Sequence, residues 1–104
     1  MQINITFRHT EPTPPLKAYI EEKLHKVRKY LQEPVEAHVV ISTEKFRHTI
    51  EVNIVAGNGT AIQGMESMED IHAAIDSVAD KIERQIKKRL GKSKHPKRRQ
   101  TWSP

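Results

Sequence analysis

Residues 35–66 read VEAHVVISTE, KFRH, TIEVNIVA, GNG and TAIQGME in succession, and this stretch decides the fold. Val35, Ala37, Val39, Ile41 and Thr43 alternate with Glu36, His38, Val40, Ser42 and Glu44, a period of two that predicts a strand with one buried face. After a charged connection at 45–48, Ile50, Val52, Ile54 and Ala56 form a second alternating set against Glu51 and Asn53. Gly57-Asn58-Gly59 is a strong turn signal, because Gly and Asn tolerate the positive φ of a tight hairpin. A short further strand over Thr60–Glu66 completes an antiparallel run.

The pattern extends in both directions. Ile3, Ile5 and Phe7 alternate with polar residues at the N-terminus and predict another strand. Thr10–Pro15 interrupts it, and Pro14 or Pro15 suits the first turn of a helix, where the missing N–H is not needed. From Leu16 the spacing turns helical, with Leu16, Ile20, Leu24, Val27 and Leu31 on one face, Tyr19 and Tyr30 beside it, and Pro34 as the stop. Downstream, Ser67 with Asp70 resembles a capping box, and Ile71, Ala74, Ile75, Val78, Ile82 and Ile86 form the apolar face of a long helix. Its end is expected near Leu90, with Gly91 terminating it. The order βαβββα predicts an α+β domain over residues 1–90, and Lys92–Pro104, with two prolines and no apolar period, reads as a basic flexible tail from residue 91.

Composition narrows the function. Residues 1–80 hold eight basic and twelve acidic residues, whereas residues 81–99 hold ten basic residues and Glu83 alone. A mildly acidic body with a cationic end fits a polyanionic partner, since clustered cations displace the counterions condensed on a phosphate backbone. The absence of cysteine removes disulfide scaffolds, thiolate metal sites and thiol catalysis. No apolar run exceeds three residues, so neither a membrane anchor nor an export signal is expected, and the cytoplasm is the expected compartment. His9, His25, His38, His48, His72 and His95 show no metal-binding spacing, and no acid/base motif is present. His38 and Glu51 are placed to meet across the outer sheet face as a solvated pair. Neither an enzyme, a metal site, a cofactor nor a small-molecule substrate is expected.

Charge on the second helix is sorted by side. With Val78 at zero and 100° per residue, Ser77, Lys81, Arg84 and Lys88 fall between about −60° and −120°, while Asp76, Asp80 and Glu83 fall between about 140° and 200°. Lys87 lies among the acids, and the pairs Asp80–Arg84 and Glu83–Lys87 are four apart. The first helix adds Lys23, Lys26 and Lys29 at steps of three. If both helices cover one sheet face, the two cationic rows are expected to border a single groove suited to structured RNA. Stacking platforms are few, because Phe7 is committed to the core and only Phe46 and Trp102 remain.

Three separated segments then carry a resemblance: Asp70–Lys88 on the second helix, Val39–Thr49 across the middle hairpin, and Lys23–Leu31 on the first helix. Over residues 1–90 the chain resembles bacterial ribosome hibernation-promoting factors and the related ribosome-associated translation inhibitor, in their short form. The resemblance implies a four-stranded sheet with two helices on one face, similar to double-stranded RNA-binding domains. It also implies a partner, the small (30S) ribosomal subunit and its 16S rRNA within the 70S ribosome, and inhibition of translation by occluding the mRNA/tRNA channel. Positions matching the family's basic rRNA contacts are Lys23, Lys26, Lys29, Lys81, Arg84, Lys88 and Lys92. His72 stands where the family usually has Tyr. Two other classes remain open: a general structured-RNA or DNA-binding module, and a protein that joins a partner through its exposed sheet face.

Overall fold

The computed structural model describes residues 1–94. Its elements are β1 (Gln2–Arg8), α1 (Pro14–His25), a 3₁₀ turn (Arg28–Tyr30), β2 (Glu36–Glu44), β3 (Arg47–Val55), β4 (Ala61–Met68) and α2 (Ile71–Lys94). The strands lie in chain order in one sheet, with β1 parallel to β2 and the other pairs antiparallel. Parallel pairing of β1 with β2 requires a crossover, and α1 supplies it.

Burial follows the alternation. Val35, Ala37, Val39 and Ile41 pack with Ile50, Val52, Ile54 and Ala56 on one sheet face, and Leu16, Ile20, Leu24, Ala74, Ile75, Val78, Ile82 and Ile86 close over them from the helices. Ile3, Ile5 and Phe7 are half-buried against the same cluster, as befits an edge strand. No charged or polar side chain is buried among the described residues, so the core is held by apolar burial alone.

Several boundaries differ from the sequence reading. Thr13 caps α1 through its hydroxyl, which accepts from Leu16 N at 3.3 Å, with Pro14 and Pro15 in the first turn. The helix ends at His25 rather than running to Leu31. Val27 N donates to Leu24 O and Tyr30 N to Val27 O, both at 3.1 Å. Such i→i+3 bonds tighten the coil to three residues per turn, which keeps Val27 and Tyr30 on the core side. At the far end Asp70, not Ser67, caps α2, its Oδ1 accepting from His72 N at 3.0 Å and Ala73 N at 3.2 Å. Ser67 belongs to β4 and pairs with Thr49. Gly91 does not terminate α2, which continues to Lys94. One glycine costs a helix about 1 kcal/mol relative to alanine, and no proline stands between Gly91 and Pro96. The expected tail therefore begins with one more helical turn, and its remainder, Trp102 included, lies outside the described residues.

The β2–β3 connection is shorter than expected. Glu44 pairs with Arg47, leaving Lys45 and Phe46 as a two-residue turn in which Lys45 takes a φ of 58°. Register also separates His38 from Glu51: His38 lies opposite Asn53 and 3.9 Å from Glu36, and Glu51 accepts from Gln63 Nε2 at 3.2 Å.

Candidate nucleic-acid interface

The two sides of α2 face different neighbours, and this sorts the charges. On the β4 side, Lys81 Nζ lies 2.8 Å from Glu66 Oε2 and donates to Met65 O at 3.3 Å. Ser77 donates to the same Glu66 carboxylate at 2.7 Å, and Gln85 Nε2 donates to Gln63 O at 2.6 Å. These contacts lace the helix to the outer strand. Arg84, exposed, pairs with Asp80 at 2.8 Å. Lys88 is exposed and has no carboxylate within ion-pair distance among the described residues. Lys81, Arg84 and Lys88 thus share one solvent-facing flank, as the helical spacing predicts.

Toward α1 the picture reverses. The groove between the helices is lined by Lys23, Lys26 and Val27 on one wall and Asp76, Ala79, Asp80 and Glu83 on the other. The two cationic rows therefore do not border one groove, because α2 turns its acidic flank to α1. Coulomb attraction favours this arrangement: Lys23 Nζ sits 3.2 Å from Asp76 Oδ1, and Tyr19 donates its hydroxyl proton to the same oxygen. The Tyr19 and His72 rings also meet in a T-shaped contact at a centroid distance of 4.9 Å. Lys26 caps the end of α1 and Lys29 sits in the 3₁₀ turn, 5.3 Å from the Tyr30 ring. Lys87, paired with Glu83 at 3.2 Å, approaches the same ring at 5.8 Å. Lys92 falls in the last turn of α2, four residues after Lys88.

Sequence reasoning missed Tyr19, Glu66 and Asp76 as the groups that position the lysines. Only the i, i+4 spacing of Tyr19 and Lys23 hinted at a shared partner. Among the described residues no group of three or more histidine, aspartate or glutamate side chains is arranged to hold a metal ion.

The carboxylates titrate accordingly. Tyr19's hydrogen bond, then Lys23, holds Asp76 below the ordinary aspartate range, and Lys81 followed by Ser77 holds Glu66 below the glutamate range. Lys23 is raised, chiefly by its hydrogen bond to Asp76. A carboxylate depressed in the folded state stabilises fully above its unfolded pKa and loses that contribution as pH falls through the lower folded value. The melting temperature is therefore expected to hold from neutral pH down to about pH 5 and to fall below it, through the window under the unfolded carboxylate values near 4. An Asp76→Asn/Glu66→Gln double variant should flatten that descent. Unchanged acid sensitivity in the variant, followed by thermal melts between pH 7 and 2, would show that these contacts do not stabilise the fold.

With this geometry in view, relatives are informative. The family model described as Sigma 54 modulation protein / S30EA ribosomal protein matches residues 3–94. A ribosome hibernation promoting factor from Pseudomonas putida is 38% identical over 88 residues, 85% of each chain. Its namesake from Escherichia coli K12 is 34% identical over 94 residues, covering 90% of this chain and 98% of its own. The crystal structure of the N-terminal domain of Thermus thermophilus Protein Y superposes with a TM-score of 0.77 at 28% identity, covering 85% of this chain and 98% of that domain. A ribosomal subunit interface protein from Coxiella burnetii, 22% identical with a TM-score of 0.75 over 88% of this chain and 99% of its own, shares the fold. The match spans both helices and all four strands, and on it this protein belongs to the Sigma 54 modulation protein / S30EA ribosomal protein family.

Proposed function

We propose that this protein is a cytoplasmic, ribosome-associated hibernation factor that lodges in the mRNA/tRNA channel of the small subunit and inhibits translation by occlusion, without a chemical step. Inactive ribosomes would thereby be preserved under stress or in stationary phase. The observation that carries the reading is the exposed flank of Lys81, Arg84 and Lys88, directed away from the acidic groove, in a chain whose relatives bear the hibernation name. Phosphate contacts fix position on a nucleic acid through arginine and lysine, and an A-form surface is recognised mainly by shape and backbone.

Lys88, Lys26 and Lys29 meet 16S rRNA phosphates with no carboxylate to release. Lys81, Arg84 and Lys23 exchange a carboxylate for a phosphate: for the exposed Arg84–Asp80 pair the step is inexpensive, since such pairs contribute about 0–1 kcal/mol, whereas Glu66 and Lys23 are half-buried and their pairs are harder to release. Lys92, the remaining matched position, lies in the last turn of α2. Among the described residues no helix is long and apolar enough to cross a membrane.

Sedimentation of the purified protein with ribosomes tests the proposal. Comigration with 30S subunits and 70S ribosomes, with a proportional halt of initiation in a reconstituted translation system, is the expected result. Undiminished synthesis at saturating occupancy sinks the inhibition, and equal affinity for unrelated duplex RNA points instead to a general structured-RNA-binding module.

A further inference from the structure

At the β2–β3 tip, Phe46 is 80% exposed, the most exposed of the large apolar side chains among the described residues. Such a ring costs hydration free energy, and nothing in the local fold requires it there. The backbone presents it at a further cost, since Lys45 occupies the left-handed region at φ 58°, where a non-glycine residue is disfavoured by roughly 1 kcal/mol. The tip is rigidly mounted. β2 and β3 pair without interruption from Glu36↔Val55 to Glu44↔Arg47, Arg47 Nη2 donates to Ser67 O at 3.3 Å on β4, and His48 Nδ1 bonds Thr43 Oγ1 at 2.8 Å.

Chemistry around the ring selects among occupants. Lys45 and Arg47 flank Phe46 in sequence, while Glu44 and Glu69 join all three in lining an open recess of about 390 Å³. A lipid surface would not tolerate two carboxylates at the depth of the anchor, whereas a nucleotide matches the combination of an exposed ring, a carboxylate and a cation. The base's π face stacks on the ring, its exocyclic amino group donates to a carboxylate, and the backbone phosphate of the same nucleotide meets Lys45.

We propose that the hairpin tip Lys45-Phe46-Arg47 is a base-stacking finger that takes one unpaired, amino-bearing nucleobase of RNA onto Phe46. Under the ribosome reading, on which this inference rests, it gives the protein a contact with a splayed-out rRNA base in addition to its helix-to-phosphate contacts. Being uncharged, the contact contributes affinity that salt does not screen.

Equilibrium binding of the full chain to purified 30S subunits, titrated over salt concentration, provides the test. Phe46→Ala should weaken binding by roughly 5- to 150-fold, the loss typical of one stacked base, with an unchanged salt slope. Phe46→Trp should retain affinity, and Lys45→Ala should instead reduce the slope by about 0.7–0.9. Melting temperatures near that of the parent chain are expected, because the ring is exposed. Parental affinity in Phe46→Ala overturns the finger while leaving occlusion intact, as does a photo-crosslink from position 46 that maps to a ribosomal protein instead of RNA. If the parent chain fails to bind 30S subunits, occlusion fails. The finger is then judged on a stem-loop RNA with unpaired purines against its fully paired counterpart: a Phe46→Ala loss confined to the loop RNA supports it, and equal binding by variant and parent overturns it.

Discussion

Replacing Lys81, Arg84 and Lys88 together by alanine is expected to lower the slope of log affinity against log salt by roughly 2 to 3 and to weaken ribosome binding on the order of a hundredfold at 0.1 M salt. Each lost phosphate contact removes about 0.7–0.9 from the slope, so three act together. All three side chains are exposed, and the fold should persist. The single variants should not be equal. Lys88 gives up no carboxylate when it binds, so its removal deletes a contact and nothing else. Removing Arg84 also strips Asp80 of its cation, adding repulsion toward a phosphate, and removing Lys81 does the same to Glu66 while unfastening α2 from β4. Lys87→Ala is the internal control, since that ammonium faces Glu83 and the Tyr30 ring. Filter binding or sedimentation across a salt series decides the matter. A triple variant that binds normally beside a Lys87→Ala chain that does not would place the interface on the acidic side of α2.

The largest effect on stability is expected from Gly57→Ala. An added Cβ would overlap the Glu33 carbonyl oxygen and press on Pro34 Cδ at 2.8 Å. Both neighbours are held, because Gly57 N donates to Gln32 O at 2.7 Å and Gln2 N donates to Val35 O at 2.9 Å on the same connection. Overpacking of about 1–3 kcal/mol together with a weakened hydrogen bond of about 0.5–1.5 kcal/mol gives a loss of about 2–4 kcal/mol. In a domain of this size each kcal/mol lowers the melting temperature by roughly 4–8 °C, so a drop on the order of 10 °C or more is the expected reading. Gly59→Ala, at a φ of 87° with open space around it, should cost less, of order 1 kcal/mol. Denaturant unfolding of the two variants side by side separates close approach from conformational freedom. A Gly57→Ala chain within 0.5 kcal/mol of the parent would refute the contact.

That glycine illustrates a difference between what a sequence encodes and what packing decides. Gly57-Asn58-Gly59 is legible as a turn, but only Gly59 has the positive φ that the motif suggests. Gly57 is needed because a segment more than twenty residues earlier passes against it, and no local pattern records that approach. The same holds at Ser67 and Asp70, where spacing suggested the cap one strand-end too early: β4 claims Ser67 by pairing it with Thr49, and only register can reveal that.

By itself the sequence determined the element order and the composition of the core. Alternation at 35–56 and helical spacing at 16–27 and 71–86 are written by burial, and burial acts residue by residue along each element. It also determined that α2 carries Lys81, Arg84 and Lys88 on one flank, since that follows from 100° per residue. Tertiary structure alone decided where that flank points. Two helices packed side by side have an azimuth fixed by how their side chains interdigitate and by which charges meet, and here Lys23 and Tyr19 converge on Asp76. The acidic side of α2 consequently turns to α1, the cationic side lies over β4, and the single groove expected from the two lysine rows becomes two separate surfaces because neither helix's periodicity contains the other's orientation.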